Sequence, residues 1–452
     1  MNKFSINSRF KRTLFTSSLA LISTVNLLIL LPFLNQAQAS AGSTEKVVTI
    51  VNPIRGRNLW YENDIKTITS QYLAITNRGL VATWLLQYDA VQDPEIVAVV
   101  KSISKDHEIG LFLEISEKLA ADSGVPYKLA SGDWARPDKV YLSGYRVHER
   151  KKLIDTAIAT FTQTFGYPPQ SAGAWHVDPT SLTYLADKYH LKATIGVADQ
   201  FDTDANRQWG QYWGYPYYPS RYNALKPAKS LAEKLDIVKI QWALRDPLLG
   251  YGPSPYYSNF SLQANDYVSE HGLDTAYFSH VLDEYLTAQS PLTQATMGLE
   301  VGQEGLRFAP EFSNQLEVIE NLQQRGVAVI TMSQFADRYR QAFPQLSPNV
   351  TIIGTHHAGS REPELKGSKV TWFMSPALTL PPRSSCLPRV FSLYRFVVSP
   401  TRRADCEATT VYRRSDWLAK SARASRRLPR STHRGRHTES DPKRKVSEKK
   451  SP

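Results

Sequence analysis

Between residues 45 and 342 short apolar runs alternate with longer segments of helical period. The runs are "VVTIVN" (47–52), "VATWLLQY" (81–88), "IGLFLEI" (109–115), "SAGAWHV" (171–177), "ATIGVA" (193–198), "IVKIQWAL" (237–244), "TMGLEV" (296–301) and "VAVITM" (327–332). Polar punctuation follows each, and helices are expected near 60–78, 93–105, 145–165, 179–189, 276–287, 311–325 and 333–341. Strands that are apolar on both faces, separated by helices, belong to a parallel sheet covered on both sides. Seven or eight such units favour closure into a (β/α)7-8 barrel over an open doubly wound sheet. The first run leads into "NPIRGRN" with no glycine-rich phosphate loop, which weakens a nucleotide-binding reading.

Active sites of such barrels form at the C-terminal ends of the strands. Those ends carry Asn52, Asp89, Glu114, His176 with Asp178, Asp199, Arg245 with Asp246, and Glu300. Asp and Asn also open loops for turn reasons alone. Glu114 and Glu300 stand apart because each lies inside an apolar run, where a carboxylate is costly unless it is paired or functional. Glu114 and Glu300, with Asp178 as an alternative partner, are the candidate catalytic carboxylates. Trp175, Trp213, Trp242 and the run "WGQYWGYPYYPSRYN" could stack on sugar rings or pack over the barrel. His176, the neighbours Arg245 and Asp246, and Asn265 in "SLQANDY" are candidate substrate contacts, although Asn and Asp also cap helices.

The charge sits in one place. The chain of 452 residues carries a formal +12, and residues 383–452 alone hold 19 Lys and Arg against 6 Asp and Glu. The body is close to neutral, which excludes a basic nucleic-acid face on the barrel. The tail reads as a disordered basic arm or an out-of-frame end, and "KVTWFMSP" before it as a strand of a partial β segment over 343–382. Both cysteines, Cys386 and Cys406, lie in the tail, so the body has no disulfide framework. At the other end, Lys3, Arg9, Lys11 and Arg12 precede a long apolar run, and Ala37 and Ala39 form a small-x-small cleavage pattern. Residues 1–39 are therefore expected to be a signal peptide or, through residues 13–34, a membrane anchor, with the body facing outward.

The order of these segments resembles the NodB-type polysaccharide deacetylases of the glycoside hydrolase/deacetylase barrel superfamily. "NRGLVATWLLQY" resembles the family's second strand and "DHEIGLFLEIS" the following one. "FGYPPQSAGAWHVDPTSLTYLADKYHLKATIGV" looks like the Arg-x-Pro-Tyr segment, and "MGLEVGQEGLRFAPEFSNQLEVIENLQQRGVAVITMSQF" like the last portion. The resemblance covers about residues 45–342 and lies in the order of the motifs. It implies a metal site that the chain does not visibly keep. The family's paired aspartates fall near Val51 and Asn52, its metal histidines on Phe112 and Ser116, its motif arginine near Ala172, and its last-strand histidine near Glu300. His107 lies at the wrong end of its strand, and His356 and His357 offer no ligand spacing.

The resemblance and the carboxylates together lead to an exported hydrolase that cleaves polysaccharide without a metal or other cofactor, through Glu114 and Glu300. Two alternatives remain. One is a non-catalytic barrel that binds glycan or peptidoglycan strands. The other is a deacetylase with relocated ligands, such as Asp89, His176 and Asp178.

Overall fold

The computed structural model describes residues 44–57, 65–128, 137–197, 214–251, 255–360, 362 and 365–376, together with one strand at 393–398. In chain order the strands are β1 (Glu45–Ile54), β2 (Thr83–Gln87), β3 (Glu108–Phe112), β4 (Ala172–Gly173), β5 (Ala193–Gly196), β6 (Pro219–Ser220) and β7 (Asn223–Pro227). They continue with β8 (Val238–Gln241), β9 (Leu292–Met297), β10 (Ala328–Val329), β11 (Val350–Thr355), β12 (Lys369–Met374) and β13 (Leu393–Val398).

β1 through β4 pair side by side in parallel, and β1 also pairs in parallel with β9 and β10. A parallel bridge from Ser171 to Ala193 carries the row on to β5, which pairs in parallel with β8. The result is an α/β fold built on a curled parallel sheet, as the alternating pattern requires. Trp242, just past β8, donates its indole N–H to the Val51 carbonyl on β1 at 3.0 Å. The two flanks of the curled sheet thus meet across its interior. Gly298, level with Val51 just past β9, leaves room for this contact, since a Cβ there would lie 1.8 Å from the Val51 oxygen and 3.1 Å from the Trp242 indole nitrogen.

The strands are shorter than the apolar runs because pairing stops before the runs do. "SAGAWHV" pairs with β3 only at Ala172 and Gly173, while the whole stretch from Ser171 to Trp175 stays buried. The helices follow their local signals closely. Asp178 caps Pro179–Tyr189 by accepting from the backbone N–H of Thr180 and Ser181, with proline at the first helical turn. Thr331 and Gln334 form a capping box at the start of Met332–Ala342.

Two features lie outside the alternating plan. A β6–β7 hairpin occupies the end of the aromatic run; three tyrosines of the run are core, while Tyr222 in the hairpin turn is exposed. Tyr215, Tyr217 and Tyr218 are fully buried, and their hydroxyls donate to the carbonyls of Leu292, Ala224 and Phe343. Each buried hydroxyl thereby keeps a partner. After the last helix, β11, β12 and β13 form an antiparallel sheet, so "KVTWFM" has a strand on each side. Residues 1–43 and 399–452, which hold the expected export signal and most of the basic tail, are outside the described residues. Among the described residues no helix is long and apolar enough to cross a membrane.

Candidate functional site

Side chains alternate along a strand, so register decides which residues share a face. Val51 is level with Thr83 and Glu108, and Gln87 with Phe112 and Gly173. Followed past the strand ends, the same face holds Arg55, Gln87, Phe112, Glu114, Trp175, Trp242 and Glu300. These residues are the inner lining of the mouth.

Arg55 sits at the centre of that lining and is only 2% exposed. Its Nε and Nη2 donate to the two oxygens of Glu114 at 2.7 and 2.9 Å, a bidentate pair. Its Nη1 donates to Oε2 of Glu300. The guanidinium lies 5.2 Å from the Phe112 ring centre and 5.8 Å from that of Trp175, within cation–π range. Trp175 stacks on Trp242 with ring centres 4.4 Å apart. Both indoles are buried, and Trp242 spends its N–H on Val51, so these two tryptophans form the floor of the mouth. Gln87 braces the arrangement by accepting from the Gly56 N–H at 3.1 Å and donating to Glu114 at 3.4 Å. Gly56 must be small, since a Cβ there would stand 2.4 Å from that of Asp89.

The remaining candidates lie around this knot. Asp178 is committed to its helix cap and accepts from Arg150 at 2.7 Å and from the Ser181 hydroxyl at 2.6 Å. His176 is on the opposite strand face from Trp175. Burial pulls its imidazole down to about 4, and its Nδ1 meets no partner among the described residues. Arg245 donates to the Ala243 carbonyl and pairs with Asp266 at 3.6 Å. Asp246 accepts from the backbone N–H of Leu248 and Leu249 and from the Tyr277 hydroxyl. Burial and then the charge of Glu284 push the Asp246 carboxyl upward. Asn265 donates to Glu304 at 3.1 Å, beside Gln263, and its Oδ1 has no partner among the described residues. Trp213 and Asp199 are outside the described residues. His107 accepts from the Ala82 N–H and the Trp84 indole, a structural role at the far end of its strand.

A divalent metal does not fit the residues at the positions that the sequence resemblance assigns to metal ligands. Asn52 accepts from the Leu299 N–H, Ser116 caps the helix Glu117–Asp122 through the Leu119 N–H, and Phe112 offers only a ring. Among the described residues no three His, Cys, Asp or Glu side chains are grouped to hold a metal ion. Asp89, His176 and Asp178 are not such a group.

Arg55 was not among the residues singled out from sequence. Its signal was an arginine immediately after an apolar strand whose neighbours end in carboxylates, with the inward parity.

The solved structures show where this architecture recurs. A candidate glycoside hydrolase/deacetylase from Parabacteroides distasonis matches with a TM-score of 0.55 over 78% of this chain and 81% of that one, at 16% identity. A candidate polysaccharide deacetylase from Mycobacterium smegmatis matches at 0.40 over 67% of this chain and 93% of that one, at 12% identity. A CE4 family pseudoenzyme from Bacillus anthracis matches at 0.33 over 66% of this chain and 67% of that one, at 7% identity. The first of these likenesses shows a shared fold, in keeping with the α/β architecture that the order of the sequence segments implied. No curated protein matches the sequence. The family model described as a domain of unknown function with a solved structure, DUF3863, matches residues 65–374, more than half of the chain, and the chain belongs to that family.

Proposed function

We propose that the protein is an exported polysaccharide-binding barrel of seven or eight strands that holds glycan at its mouth without cleaving it. The observation that carries this reading is the grip of Arg55 on both mouth carboxylates. Glycoside hydrolysis needs one carboxyl that donates a proton and a second, ionised one that attacks or activates water. Here both oxygens of Glu114 already accept from a guanidinium that keeps its charge at any physiological pH. Glu300 accepts from the same group. A carboxyl so engaged has to leave its partner before it can serve as acid, and the partner is buried.

Support for a carbohydrate ligand comes from the fold likeness to a candidate glycoside hydrolase/deacetylase. Export rests on the N-terminal pattern of basic start, apolar run and small residues. Asn265 and Trp213 are the contacts we assign to the glycan, the first for its buried carbonyl that has no partner among the described residues and the second for its place in the aromatic run.

Hydrolysis by Glu114 and Glu300 is the second reading, and their spacing favours it. Two carboxyls that share one guanidinium are held within the roughly 5–10 Å spanned by retaining and inverting pairs.

The test presents the full chain, in EDTA, with a panel of bacterial polysaccharides and records both binding and reducing-end release. Saturable binding without release is expected, unchanged in Glu114→Gln and weakened several-fold in Asn265→Ala. Release that disappears in Glu114→Gln makes the protein a metal-free glycosidase. Absence of binding to every polysaccharide removes the carbohydrate reading.

A further inference from the structure

Three buried groups and one part-buried group, Glu300, at the mouth point the same way. Glu114 is 1% exposed and has both oxygens on one guanidinium. Glu300 reaches that guanidinium from another strand end, 186 residues later in the chain. Phe112 and Trp175 present rings to the same cation, and an aromatic face attracts positive charge. The lining is thus arranged around a positive centre, with two carboxylates and two ring faces as its walls.

That centre is supplied by the chain. Arg55 is fixed on the approach side by Gly56, whose N–H is held by Gln87 and whose Cα has no room for a side chain against Asp89. The same Gln87 touches Glu114, so one amide sets both the cation's backbone and its counter-ion. Of the positions that the sequence resemblance assigns to metal ligands, Asn52 accepts from the Leu299 N–H, Ser116 caps a helix, and Phe112 offers only its ring to the same guanidinium.

We infer that Glu114 and Glu300 form a cation site that the chain fills with its own Arg55, a tethered guanidinium in place of a dissociable metal ion. The site's chemical class is that of a planar, delocalised monovalent cation, since the bidentate fork and the flanking rings suit guanidinium geometry better than a spherical ion. This inference is independent of the glycan reading, because it is measured on stability and cation binding alone.

The experiment follows the melting temperature of the full chain and its Arg55→Ala variant in EDTA, with zinc, with methylguanidinium at low millimolar concentration, and with methylurea as a neutral control of similar shape. The unaltered protein is expected to melt at the same temperature in all four. Arg55→Ala is expected to melt lower and to recover saturably with methylguanidinium but not with methylurea. If Arg55→Ala does not fold, the charge-neutral variant carrying Arg55→Met, Glu114→Gln and Glu300→Gln together is expected to fold, because the carboxylates no longer lack a counter-charge. Three results overturn the inference: equal response of Arg55→Ala to methylurea and methylguanidinium, response to neither, or stoichiometric zinc binding that raises the melting temperature of the unaltered protein. Failure of the triple variant to fold where Arg55→Ala also fails overturns it as well.

Discussion

β3 carries a buried glutamate near each of its ends, and the protein answers the two in different ways. Glu114, at the mouth, is met by a full positive charge in bidentate geometry. Glu108, at the foot, is met by dipoles. Its Oε2 accepts from the Ser333 N–H at 2.8 Å and from the Thr83 hydroxyl at 3.4 Å, and Oε1 has no partner among the described residues. Ser333 lies in the first turn of Met332–Ala342, whose positive dipole end faces the carboxylate. Thr83 in turn accepts from the Met332 N–H at 2.9 Å, so the foot is a seam between strand and helix. A dipole can hold one carboxylate at a seam, whereas the two mouth carboxylates meet on one cation. On the proposed reading, that cation is also what keeps them from acid–base chemistry.

That contrast sets an order of effects. Arg55→Ala removes the charged partner shared by Glu114 and Glu300, the first of them fully buried, and is expected to cost about 3–5 kcal/mol in urea denaturation. A loss under about 1 kcal/mol would mean that the mouth carboxylates are solvated and the contrast false.

Lys239 offers the inverse case, a buried cation whose amine donates to the Ala224 carbonyl at 3.3 Å and faces no carboxylate among the described residues. Burial pulls that amine down to about 7. Its folded value is depressed below the unfolded one, so the cost of burying a proton is present in full below pH 7. The cost is relieved as pH rises from 7 towards 10.5. Lys239→Met is expected to raise stability at pH 6 by a few kcal/mol and to leave it little changed at pH 10. An equal effect at both pH values would show that the amine is not desolvated.

At the foot, Glu108→Gln keeps the shape and removes the charge, at an expected cost of about 1–2 kcal/mol. A cost equal to that of Arg55→Ala would erase the distinction between the two ends.

The smallest effect concerns a third buried carboxylate. Glu284 accepts from His280 at 3.1 Å and from the Thr355 hydroxyl at 2.9 Å. The hydrogen bond to Glu284 first, and then the Thr355 carbonyl, raise the His280 imidazole to about 9. A raised folded value means that the stabilisation is complete below pH 6.5 and lost as pH rises through about 9. Urea midpoints between pH 6 and pH 9.5 should fall in the unaltered protein more than in His280→Gln. Parallel curves would place His280 outside any ionic role.

Much of the fold could be read from the sequence because its signals are local. Asp178 followed by Pro179 announces a helix start, and the helix spans Pro179–Tyr189 as the periodicity indicated. The mouth was only half legible. A carboxylate inside "LFLEIS" is visible as an anomaly, but the arginine that answers it stands 59 residues upstream. The second carboxylate is 245 residues from that arginine. Only strand register brings the three together, and register is a property of the sheet. The aromatic run stayed open between packing and sugar stacking for the same reason. Tyr215 and Tyr218 are satisfied by carbonyls 77 and 125 residues away, so their burial could not be told from exposure on a sugar platform.

β1 has a further consequence for how the chain is made. Glu45–Ile50 pairs with Leu292–Met297, so that flank of the first strand waits for a partner 247 residues downstream. At synthesis rates of roughly 5–20 residues per second the wait is on the order of ten seconds to a minute. During that time "VVTIV" presents an apolar edge with unpaired backbone groups, a ready template for association between nascent chains. A protein built this way depends on whatever shields its first strand until the last third of the chain has emerged.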